Sequence, residues 1–104
     1  PQDLALIDAR RAIAMFGQVA VPVLGIVENM SYFLCPHCGQ QSDIFGHGGA
    51  REAAEAMGVP FLGAIPLHAS IRAASDVGTP PAAGDSAQAD AFKTLAAQVA
   101  AALV

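Results

Sequence analysis

The sequence predicts an α/β fold built on a parallel sheet, with only about two strands in this chain. Two runs carry that prediction. Val21 to Glu28 and Phe61 to Ile65 are apolar without alternation, the pattern of strands covered on both faces of a parallel sheet. A helical stretch lies between them, and strand–helix–strand implies a right-handed crossover.

The elements follow in order. Residues 3 to 17 read as a helix, with Leu4, Leu6, Ile7, Ala12, Ile13 and Phe16 on one apolar stripe. Asp3 suits its first turn, and Gly17 is the expected C-cap. The first strand ends at Glu28 and Asn29, polar groups at the strand end where open α/β sheets bind ligands. Residues 30 to 47 form a long connection carrying Tyr32, Phe33, Leu34, Ile44 and Phe45, which must pack on the body or on a partner. A helix over Ala50 to Met57, closed by Gly58, leads to the second strand, which Pro66 ends. A helix over Ala69 to Val77 closes at Gly78. Thr79 to Gly84 is a proline-stiffened loop, and residues 86 to 103 make the last helix.

A length of 104 residues suits one domain. Hydrophobic residues are 54% and charged ones 13%, too apolar for a disordered chain. The net charge of -4, with five scattered basic residues, argues against nucleic-acid or anionic-membrane binding. No apolar run reaches the ~18 residues of a membrane span. Two strands do not make a stable doubly wound sheet, and both are too apolar for a wet edge. The remaining strands are expected N-terminal to Pro1 or on another chain, and the isolated chain is expected to associate.

Both cysteines lie in Cys35-Pro36-His37-Cys38-Gly39. Two cysteines at this spacing are no secreted disulfide framework and point to a reducing compartment. Cys-x-x-Cys places two sulfurs where both reach one metal; Pro36 stiffens the turn and Gly39 permits a positive φ. It is half a site, because tetrahedral zinc or a four-iron cluster takes about four protein ligands. Three readings are open. Two chains related by a two-fold axis each give one pair to a shared centre. Or His37 or His47 completes a site within one chain. Or the pair is a redox dithiol, as in thiol oxidases of the thioredoxin fold, where the motif opens a helix that lowers the first thiol's pKa. Here helix signals return only after Gly49.

Several segments together resemble a known family. Pro1 to Ala5, Pro22 to Phe33, Cys35 to Cys38, Ile44-Phe45-Gly46 and Gly63 to Leu67 are similar to the Mrp-type (ApbC-type) iron–sulfur cluster carriers. These are P-loop ATPases of the MinD and nitrogenase iron-protein group. The resemblance covers residues 1 to 84. It implies that residues 1–104 are the C-terminal half of a doubly wound P-loop NTPase domain, with the metal loop at 30–47. It implies a homodimer holding a 4Fe-4S cluster between the Cys35 and Cys38 pairs of two subunits. That cluster is passed to apo iron–sulfur proteins in the cytoplasm. It also implies that Asn29 reads the adenine of ATP, an amide offering both donor and acceptor, with Pro66 and Leu67 near the base through backbone atoms.

The departure is the phosphate site. No G-x-x-x-x-G-K-[ST] occurs, and Gly46-His47-Gly48-Gly49 has no lysine. The magnesium carboxylates are absent with it, so the chain alone is expected not to hydrolyse ATP. A non-enzymatic zinc-bridged dimer module is the alternative.

Overall fold

The structure, a computed structural model, describes residues 1–103. Helix α1 spans Asp3–Gln18, close to the expected 3–17, but its end differs. It runs through Gly17, and Ala20 takes the left-handed conformation instead, at φ 58°. The Val21 N–H donates to the Phe16 carbonyl at 2.9 Å and the Ala20 N–H to that of Gly17 at 3.3 Å. These two bonds are a Schellman motif, usually built on glycine at the left-handed position. Helices α2 (Gly49–Met57) and α3 (Ala69–Asp76) end the same way, on Gly58 and Gly78 as the sequence predicts.

Strand β1 is Ile26–Glu28, shorter than the predicted Val21–Glu28. The ladder opens only where the Ile26 N–H donates to the Pro60 carbonyl at 2.8 Å. Just before it, a Cβ on Gly25 would lie 2.6 Å from both the Pro60 oxygen and Leu62 Cγ. The two backbones cross there too closely for a side chain, and Pro22 has no N–H to offer a ladder. Two further short strands follow inside the 30–47 connection, β2 (Phe33–Leu34) and β3 (Gln41–Ser42). They pair antiparallel, Phe33 with Ser42 and Leu34 with Gln41, a hairpin the sequence reading had as loop. Strand β4 (Phe61–Ala64) pairs parallel with β1, with a register irregularity between Ile26 and Val27. A 3-10 turn at Pro81–Ala83 precedes α4, Ala87–Ala102. The Ser86 hydroxyl caps α4 by accepting from the Ala89 N–H at 3.2 Å.

Helix α2 is the crossover between β1 and β4. Its Ala50, Ala53 and Ala54 are buried, and the Arg51 guanidinium lies 4.4 Å from the centre of the Phe61 ring. Helix α4 packs on β4, and α1 leans on α2. The core is small: Ile65, Pro66 and four alanines are its buried apolar residues, with no large side chain fully buried among the described residues. Both strands were expected to be covered on two faces. Instead Val27 is 39% exposed, and β1 has no strand partner on its second edge among the described residues. The α1 stripe is open as well, with Leu4 72% exposed and Ile7 and Phe16 also exposed. Among the described residues no helix is long and apolar enough to cross a membrane.

Candidate metal centre

Beyond β1 the chain kinks and then resumes its pairing. Met30 is left-handed at φ 53°, and the Asn29 Oδ1 accepts from the Met30 N–H at 2.9 Å. After the kink the Ser31 N–H donates to the Ile65 carbonyl at 2.9 Å. The Leu67 N–H donates to the Tyr32 carbonyl at 2.7 Å, and the Leu34 N–H to the Leu67 carbonyl at 3.3 Å. The connection therefore prolongs the β1–β4 ladder, and the β2–β3 hairpin stands at its far end.

The cysteines occupy the tip of that hairpin. The Cys35 N–H donates to the Gln40 carbonyl at 3.0 Å and the Gly39 N–H to the Cys35 carbonyl at 2.8 Å. Gly39 sits at φ 73°, the conformation its place in the motif predicts. Both thiols are free, Cys35 half-buried and Cys38 exposed. The Cys35 thiol is held below its ordinary pKa. The Cys38 backbone N–H is the main cause, followed by the His37 N–H and the Cys38 thiol. Partial burial opposes them, and the Gly39 N–H adds a little. Donors aimed at a sulfur favour its anionic form, which is the form that binds metals. A turn supplies those donors here. The residues that would open a helix in a thiol oxidase lead into β3 instead.

Neither His37 nor His47 completes a three-ligand group with the thiols among the described residues. His47 Nδ1 lies 3.5 Å from Asp43 Oδ2, both at the surface. Among the described residues no three His, Cys, Asp or Glu side chains come close enough to hold one metal ion. Two adjacent thiols, with the anionic form of Cys35 stabilised, fit half of a four-ligand centre. They do not fit a complete one.

Asn29 lines a pocket of about 350 Å³ between α1, β1 and the connection, with Leu6, Val27, Met30 and Phe45 among its walls. Pro66 is buried and Leu67 half-buried, both on the ladder beneath the hairpin and outside that pocket. Both backbone groups of Leu67 are engaged in holding the connection. Asn29, Leu67 and the cysteine turn thus hang on one continuous ladder, but Asn29 faces a different space from the other two.

Glu28 was read from the sequence only as a polar group at a strand end. It is 6% exposed, and its carboxylate accepts from the Ser31 hydroxyl and, at 3.1 Å, from the Ala50 N–H at the start of α2. The signal was present: a carboxylate closing an apolar run is rarely buried unless paired, and a serine follows three residues on.

Known proteins share most of this sequence. A family model described as "NUBPL iron-transfer P-loop NTPase" matches residues 1–100. The chain is 48% identical over 101 residues to the iron–sulfur cluster transfer protein NUBPL of Dictyostelium discoideum, covering 95% of this chain and 31% of that protein. It is 56% identical over 80 residues to the iron–sulfur cluster carrier protein of Escherichia coli K12, covering 77% of this chain and 22% of that one. A solved nucleotide-binding protein from Archaeoglobus fulgidus, in complex with ADP and with cobalt found in it, superposes at a TM-score of 0.60. It is 42% identical, over 68% of this chain and 29% of that one. The chain spans about a third or less of the length of these proteins. Its match over nearly all its residues, together with the paired thiols and the parallel β1–β4 crossover, places the chain in the NUBPL iron-transfer P-loop NTPase family.

Proposed function

We propose that this chain is the C-terminal part of an ATP-dependent iron–sulfur cluster carrier, and that Cys35 and Cys38 hold the cargo. The observation that carries the reading is the half-site: two thiols at a projecting hairpin tip, one with its anionic form stabilised, and no third ligand within reach. A second copy placed about a two-fold axis brings four thiolates together. A 4Fe-4S cluster takes four such ligands. An exposed tip also lets the cluster leave by ligand exchange with the thiolates of an apo iron–sulfur protein, and the cytoplasm is the proposed compartment.

ATP binding would use this chain as one edge. Asn29 keeps its Oδ1 on the Met30 N–H, which leaves its amide hydrogens for an adenine acceptor. Because Pro66 and Leu67 lie outside the Asn29 pocket and both backbone groups of Leu67 are engaged, the base contact in this reading rests on Asn29. Phosphate and magnesium contacts belong to the part of the longer relatives outside this chain, so the chain alone does not turn ATP over.

Anaerobic reconstitution with iron and sulfide tests the reading. The expected result is a broad absorbance near ~400 nm, typical of thiolate-bound clusters, lost in Cys35→Ala and in Cys38→Ala. Zinc alone, at about one per two chains, would favour the zinc-bridged module instead.

A further inference from the structure

Glu28 is a buried carboxylate to which the carrier reading assigns no task. It lies at the last residue of β1, immediately before the Asn29–Met30 kink, and both of its oxygens are engaged across that kink. One accepts from the Ser31 hydroxyl, on the first residue after the kink; the other accepts from the Ala50 N–H in the first turn of α2. Ser31 is itself 8% exposed, and its N–H is the first rung of the resumed ladder.

The kink needs such a grip. Met30 holds a left-handed conformation that a residue with a side chain adopts only at some cost. If the kink relaxes, the resumed ladder from Ser31 to Leu34 can slip against Ile65 and Leu67. A slip of that ladder moves the cysteine turn, which begins one residue after its last rung. The charge on Glu28 is matched by donors alone, because neither partner is a cation. One partner is the N-terminal end of a helix, where the macrodipole favours an anion.

We propose that Glu28 is a positioning residue for the metal centre, gripping Ser31 and the start of α2 so that the kink fixes the register of the Cys35–Cys38 turn. This rests on the reading of that pair as a metal site. It makes metal affinity sensitive to a carboxylate that touches neither sulfur.

Cobalt(II) titration of the chain is the test, followed by the thiolate-to-cobalt absorption, with melting recorded alongside. Glu28→Ala is expected to weaken cobalt binding about tenfold, the lower end of the loss seen when a supporting group is removed from a metal site. Glu28→Gln, which keeps an acceptor for the Ala50 N–H and a partner for Ser31, is expected to bind within about twofold of the parent, as rescue of one bond geometry requires. Should Glu28→Ala unfold the chain, Ser31→Ala still decides the matter. It cuts the loop arm, leaves the α2 contact, and is expected to lose affinity at temperatures well below its own, somewhat lowered, melting temperature. Parent affinity in Ser31→Ala, or Glu28→Gln as defective as Glu28→Ala, overturns the proposal. Cys35→Ala separates the two readings. If it leaves cobalt binding intact, the metal reading falls and this one with it. If it abolishes binding while Ser31→Ala does not weaken it, only the role of Glu28 falls.

Discussion

Gly25→Ala should be one of the most damaging single-methyl changes in the chain. A Cβ at this position would sit 2.6 Å from the Pro60 carbonyl oxygen and 2.6 Å from Leu62 Cγ. Leu62 can turn away in part, but the Pro60 oxygen is backbone. It is also the acceptor of the first rung of the β1–β4 ladder, from the Ile26 N–H. The added methyl therefore has to push apart the two strands it sits between. Overpacking of this kind costs about 2 to 3 kcal/mol. An unfolding entropy of ~2.1 cal/mol/K per residue over 104 residues amounts to roughly 0.2 kcal/mol/K. The melting temperature should therefore fall by about 9 to 14 °C. Thermal melting followed by far-UV circular dichroism reads this directly. A Gly25→Ala chain melting within a degree or two of the parent would refute the close crossing, and with it the reason given for the short β1.

Two further predictions follow from local geometry. Ala20→Gly relieves a left-handed alanine costing about 1 to 2 kcal/mol and gives back roughly 0.5 to 1 kcal/mol in backbone entropy. The net gain of about 0.5 kcal/mol should raise the melting temperature by about 2 °C, and a lowered value would contradict the Schellman ending. The second concerns Cys35, whose pKa is lowered in the fold. Iodoacetamide labelling of Cys35 in a Cys38→Ser chain, which keeps the main-chain donors, should show a pH midpoint below that of an unstructured thiol. Unfolding in urea should restore the ordinary midpoint. The sign for stability follows: the thiolate favours the folded state above the ordinary thiol pKa, and that contribution is lost as pH falls through the lowered value. A midpoint at or above that of the unfolded chain would remove the case for converging donors.

Helix and crossover were legible in the sequence because their signals are local. Gly58 and Gly78 mark helix ends through a conformation only glycine adopts cheaply, and both fell where expected. Gly17 misled, because a glycine near a helix end need not be the left-handed residue, and Ala20 took that place by accepting strain. The length of β1 was illegible because Val21 to Leu24 have the composition of a strand, while the Gly25 crossing is a matter of how close Pro60 comes. The β2–β3 hairpin is illegible because its strands are two residues each, too short for an alternating pattern. At the site, the positive φ of Gly39 was readable from the motif. The lowered Cys35 pKa depends on where three backbone N–H groups point, and composition does not encode that. The Glu28 contact to Ala50 spans 22 residues, beyond the reach of any local pattern.

In the proposed function one cluster is shared between two copies of a half-site. Native mass spectrometry of the chain after anaerobic reconstitution tests it most directly. The predicted species is two chains carrying one 4Fe-4S unit, about two irons per chain, and reverting to apo mass in Cys38→Ala. Single chains each holding a complete cluster, or dimers that persist in Cys38→Ala with their iron, would contradict it.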